Sequence, residues 1–147
     1  MAIRDDLKKT LVEAAKARDQ VLLDTIRAVQ SAIRYKEIDK KGELTDTEVF
    51  SVIQTLSKQR RESVDQYTKG GRTDLATQET RELEILQKML PAQASVEEVE
   101  AAVKKAIVDV GAKGPQDMGK VMKPVLAALA GKVDGKIVSE LVKKLLS

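Results

Sequence analysis

Apolar residues recur every three or four positions along most of this 147-residue chain, and no stretch alternates as a half-buried strand does. That spacing commits the chain to helices. Ile3, Leu7, Leu11 and Ala14 begin the pattern, and Leu22, Ile26, Val29 and Ile33 continue it in a second segment. The two separate near Lys16 to Asp19, where Asp19 can cap the second helix. Lys36 to Leu44 is polar and contains Gly42, which reads as a loop. Thr45-Asp-Thr-Glu48 then has the spacing of a capping box. Val49, Ile53, Leu56, Arg60, Val64 and Tyr67 follow at helical intervals, with Arg60 as the one charge on the apolar stripe. Gly70-Gly71 ends this third helix.

A fourth helix is predicted from about Asp74 to Leu90, closed by Pro91. Ser95-Val-Glu-Glu98 has capping-box spacing again and opens a fifth, with Val96, Val99, Val103, Ala106 and Val110. After the break at Gly111 to Gly114, Pro115 suits the first turn of a sixth helix striped by Met118, Met122, Val125 and Leu129. Gly131 ends that helix, and Asp134 can cap a seventh carrying Ile137, Val138, Leu141, Val142 and Leu145. The expected fold is all-α: an N-terminal bundle of about four helices over residues 1–93, then a small three-helix domain over 94–147. Pro124 removes a backbone hydrogen bond to Lys120, so a kink or an end to the regular turn is expected there. Gly119, one residue inside the sixth helix, is expected to admit close packing of another backbone, with approach of an RNA backbone as the alternative.

Composition removes whole classes of chemistry. There is no cysteine and no histidine, which excludes a disulfide framework, a zinc–thiolate site and a Ser-His-Asp triad. Tyr35, Tyr67 and Phe50 are the only aromatics, too few for a base-stacking platform of the RRM kind. The longest uncharged run, Val49 to Ser57, is well short of the roughly 20 residues that span a bilayer, and Met1-Ala-Ile-Arg-Asp-Asp lacks the apolar core of a secretory signal. No membrane contact is expected, and the location is expected to be cytoplasmic. Phosphate-binding and hydrolase motifs are absent, and no catalytic residue, metal ligand or cofactor is expected. Glu79, Glu82 and Glu84 read as a solvated set beside Arg81, and Glu62, Asp65 and Asp74 as ion-pair partners for Arg60, Arg61 and Arg72.

One charge concentration stands apart. Lys113, Lys120, Lys123, Lys132 and Lys136 fall within 24 residues that hold only two acids, Asp117 and Asp134. Lysines at this density can be a solvated outer face or a phosphate-contacting surface. Four lysine–phosphate contacts would give a salt slope of roughly −3 to −4, which suits an auxiliary binder and not a sequence reader.

Asp117-Met-Gly-Lys-Val-Met122, Gly131-Lys-Val-Asp-Gly135 and the Val138/Leu141/Val142/Leu145 helix resemble the GatB/YqeY tail domain. The upstream block Gly70-Gly-Arg-Thr-Asp-Leu75, with Glu79, Glu82-Leu-Glu-Ile-Leu86 and Leu90-Pro91, is similar to stand-alone YqeY-like proteins. Val133 replaces a common alanine, and Pro124 comes earlier than the family's usual proline. The resemblance implies an all-helical, two-part protein whose C-terminal unit is related to the tail of the B subunit of aspartyl/glutamyl-tRNA amidotransferase, which helps hold tRNA. Carried over, Lys120 and Lys132 occupy motif positions; Lys113, Lys123 and Lys136 are added by the charge argument. The function expected is therefore non-catalytic tRNA binding, with a protein–protein adaptor as the alternative. A third reading, glutamine-dependent carbon–nitrogen ligase (amidotransferase) activity together with other subunits, follows the family label; the sequence gives it no support of its own, since no serine nucleophile in a glycine/serine-rich setting, no cysteine and no nucleotide site is visible.

Overall fold

The computed structural model describes residues 2–147. It is all-α, with seven α-helices and no strand among the described residues. The chain divides into two compact units, one ending at Leu90 and the other beginning at Pro91.

In the first unit α1 (Ala2–Ala17), α2 (Gln20–Lys40), α3 (Asp46–Lys69) and α4 (Thr73–Lys88) enclose Ile3, Leu7, Ile26, Val29, Ile33, Val49, Ile53 and Leu86. α2 touches all three other helices, whereas α3 and α4 form the most extensive pairing. The expected caps are present at the starts of α2 and α3, whereas α4 has no side-chain cap. Asp19 accepts the Leu22 N–H at 3.2 Å, and Thr45 with Glu48 forms the complete capping box.

The ends of α1, α2 and α3 follow one geometry with different residues. After α3, Gly71 takes φ +74° while the Arg72 N–H reaches Tyr67 O at 2.8 Å and the Gly71 N–H reaches Thr68 O at 3.2 Å. This paired closure consumes two orphan carbonyls. α1 and α2 close in the same way, but Arg18 (φ 56°) and Lys41 (φ 60°) occupy the left-handed position. α2 accordingly runs to Lys40, through much of the segment expected to be a loop. A tertiary anchor explains the extension. The Glu37 carboxylate is ion-paired with Arg4 of α1 and also accepts the Leu44 N–H at 3.0 Å. The half-buried guanidinium and that backbone donor hold the Glu37 carboxyl below its ordinary range.

In the second unit α5 (Val96–Val110), α6 (Met118–Ala128) and α7 (Gly135–Leu146) pack pairwise around Val99, Val103, Val121, Val125, Val138 and Val142. Ser95 caps α5 by accepting the Glu98 N–H, and Asp134 caps α7 by accepting the Lys136 N–H. Pro115 opens a 3₁₀ turn, Pro115–Asp117, ahead of α6 and not α6 itself. α6 carries through Pro124 to Ala128, so the proline does not end it. Its buried centre is Val121 and Val125, with Met118, Met122, Leu126 and Leu129 flanking. Gly119 is exposed and a side chain there would meet open space, which overturns the expected close packing against it.

Candidate nucleic-acid interface

All five sequence-selected lysines are exposed. Lys113 lies before the 3₁₀ turn, Lys120 and Lys123 on α6, Lys132 in the α6–α7 connection and Lys136 in the first turn of α7. The backbone beneath them is held in place. The Lys113 N–H donates to Asp117 Oδ2 at 2.9 Å, the Lys132 carbonyl accepts the Ala94 N–H at 2.8 Å, and the Lys132 N–H donates to Leu129 O at 2.8 Å. With the backbone fixed, only the lysine side chains would have to be ordered by a ligand.

Among the described residues Asp117 is the one acid that draws two of these lysines together. Its Oδ1 is 3.7 Å from Lys120 Nζ, while Oδ2 holds the Lys113 backbone. Among the described residues Lys113, Lys123, Lys132 and Lys136 form no ion pair. Lys120 is itself 74% exposed, so its contact with Asp117 is well screened.

The first unit uses its charges differently. Arg60 Nε is 3.1 Å from Glu82 and 3.5 Å from Glu79, two carboxylates of α4 that are mostly shielded from water. Arg60 thus pairs across the α3–α4 hairpin, not with Glu62 or Asp65, and Glu79 and Glu82 are not the solvated set expected. The charge on the apolar stripe was the signal for this pairing. Burial pushes the Glu82 carboxyl upward, the Glu79 charge adds to the rise, and Arg60 opposes it. Buried Arg60 Nε and Glu79 Oε2 make no aligned hydrogen bond, so charge balance here is better than hydrogen-bond balance. Arg72 pairs with Asp74 at 3.2 Å as expected, and Arg81 of α4 grips Asp19 at 2.7 Å.

Alongside α2, an open groove of about 450 Å³ is walled by residues of α1 and α4, including Ile3, Leu7 and Ile85, by Met89 just after α4, and by Leu22 and Ile26 of α2. Among the described residues no cluster of three or more carboxylates is arranged to hold a metal, and no helix is long and apolar enough to cross a membrane.

A model of the Yqey-like protein family matches residues 4–146. The chain belongs to that family. It is similar to proteins named altered inheritance of mitochondria protein 41, mitochondrial. The Kluyveromyces lactis protein is 35% identical over 92% of this chain and 69% of its own length. The Vanderwaltozyma polyspora protein is 37% identical over 73% of this chain and 60% of its own. A Saccharomyces cerevisiae relative is 28% identical over 91% of this chain and 69% of its own. The chain thus spans 60 to 69% of the length of these relatives.

Those names correct the cytoplasmic expectation, since the relatives are named as mitochondrial proteins. The expectation rested on the lack of an apolar signal, a membrane span and cysteine. None of these separates cytosol from an organelle interior, because both are aqueous.

Proposed function

We propose that this YqeY-like chain binds tRNA through the lysine-bearing surface of its second unit, as an accessory that performs no reaction alone. One observation carries the reading. Four lysines within residues 113–136 have anchored backbones or helical positions and no ion-pair partner among the described residues, in a segment with only two acids, Asp117 and Asp134. Ammonium groups left unpaired in water are available for counterion-releasing contact with phosphates. The resemblance of Asp117–Met122 and Gly131–Gly135 to the amidotransferase tail supplies the choice of tRNA among polyanions.

The test is a tRNA titration at two salt concentrations with the parent chain, Lys120→Glu, Lys123→Glu and Lys132→Glu. The parent is expected to show a log–log salt slope of roughly −3 to −4, and each substitution to weaken binding and reduce that slope by about one. Binding that ignores salt, or variants equal to the parent, would end this reading.

A further inference from the structure

Resting on the tRNA-binding reading, we propose that Gln93 is a positioning residue for Lys132. Its side-chain amide straps segment 91–94 to the α6–α7 connection and so fixes the backbone from which Lys132 meets phosphate. Three hydrogen bonds make the strap. Gln93 Nε2 donates to Gly131 O at 3.0 Å and to Pro91 O at 3.1 Å, so one amide joins the segment to the connection and braces the segment itself. One residue on, the Ala94 N–H donates to Lys132 O at 2.8 Å. All of these residues belong to the second unit.

The path of the chain explains why the connection takes outside donors. α6 ends at Ala128 and α7 begins at Gly135, and between them the backbone turns through Gly131 at φ +74°. Locally, the Lys132 N–H closes a turn on Leu129 O at 2.8 Å, Val133 is buried and Asp134 caps α7. The carbonyls of Gly131 and Lys132 instead accept from residues 38 positions earlier. Gln93 is exposed and stands outside the core of the unit, while Ala94 packs against that core and seats the far end of the strap.

The other selected lysines are held by other means. Lys120 and Lys123 ride on α6, Lys136 on the first turn of α7, and the Lys113 N–H is held by Asp117. Lys132 is the one whose own carbonyl the strap takes. A lysine side chain still sweeps several positions about a fixed Cα, so the gain from the strap is modest. Without it the ligand must order backbone as well as side chain. By linkage, a polyanion held by Lys132 tightens the strap by the factor by which the strap tightens the polyanion.

The test uses the full chain. Gln93→Met keeps the length of the side chain and removes the donor. Amide exchange followed by nuclear magnetic resonance reads the strap, and titration with unfractionated tRNA at two salt concentrations reads binding. In Gln93→Met the Ala94 amide is expected to exchange about threefold faster and tRNA to bind about threefold more weakly. In the parent, saturating tRNA should slow exchange at Ala94. A double-mutant cycle separates positioning from general loosening. Lys132→Ala should weaken the parent by a larger factor than it weakens Gln93→Met, whereas Lys123→Ala should cost the same factor in both. No tRNA binding by the parent would overturn this role together with the tRNA reading. Salt-dependent binding by the parent that Gln93→Met matches, an equal cost of Lys132→Ala in both backgrounds, or an Ala94 amide that exchanges no faster in Gln93→Met would overturn the role of Gln93 alone.

Discussion

Both units are small helical assemblies, yet the ion pairs they form differ in residue type and in reach. All eight arginines of the chain lie before Leu90, and all nine basic residues after it are lysines. Three arginines of the first unit join segments far apart in sequence: Arg4 to Glu37, Arg60 to Glu79 and Glu82, Arg81 to Asp19. Ion pairs of the second unit are single-turn contacts, Lys104 with Glu100 and Lys120 with Asp117. A guanidinium is weakly hydrated and offers a rigid fork, which suits partly buried pairing; an ammonium is strongly hydrated and mobile. Three guanidinium groups thus tie helices together in the first unit, and no basic side chain does so among the described residues of the second.

The cores differ in the same sense. The first is built from isoleucine, leucine and valine, the second mainly from valine. Ile53→Ala removes a fully buried side chain and is expected to cost the first unit about 3 kcal/mol. Val103→Ala removes less and is expected to cost the second unit about 2 kcal/mol. Amide exchange of core residues within each unit measures both. Equal losses would mean that the two cores are not distinguished by side-chain size.

Arg60 gives the next largest effect. Arg60→Met leaves Glu79 and Glu82 facing each other without a counter-charge, and a loss of about 2 kcal/mol is expected. Glu82→Gln should restore much of that loss in the double variant, which a double-mutant cycle by urea denaturation would show. Glu82 also sets a pH dependence. Its folded pKa is raised from 4.5, first by burial, so its contribution is fully present below about pH 4.5 and is lost as pH rises through the folded value. Glu37 and Glu48 run the other way. Hydrogen bonds from Arg4 and Lys40 lower them, so their stabilisation is present above about pH 4.5 and is lost as pH falls through their folded values. Glu82→Gln is thus expected to flatten the decline above pH 4.5 and leave the acid limb intact, as read by melting temperature against pH. A variant that alters only the acid limb would reverse the assignment.

Helix content and most starts were legible because caps are local. Asp19, Thr45, Ser95 and Asp134 each bond a backbone N–H two or three residues on, which the sequence alone can indicate. The end of α2 was not legible. Its last turns are polar, their anchor is Arg4, 33 residues away, and Lys41 adopts the left-handed cap one residue before the glycine that suggests it. Tyr35 and Ile38 consequently stand at the edge of a presumed loop, and their shared exposed side becomes visible only once α2 extends past them. The partners of Arg60 were hidden for the same reason, since Glu79 and Glu82 reach it only through the α3–α4 pairing. The lysine positions needed only composition and spacing, because free surface charge depends on what is absent nearby.

Asp117 makes the finest test of the contrast between engaged and free cations. Its carboxylate is the one ion-pair partner of a selected lysine among the described residues, and it also holds the Lys113 backbone. Asp117→Asn keeps an oxygen for the Lys113 N–H while removing the charge near Lys120. On the tRNA-binding reading, affinity should then rise about twofold at low salt, and the gain should vanish at high salt as Debye screening shortens. Asp117→Ala removes both functions, frees the Lys113 backbone and should forfeit part of that gain through added ordering cost. If Asp117→Asn weakens tRNA binding, the carboxylate itself must help present Lys120 to the ligand, and this lysine would belong with the engaged cations of the first unit.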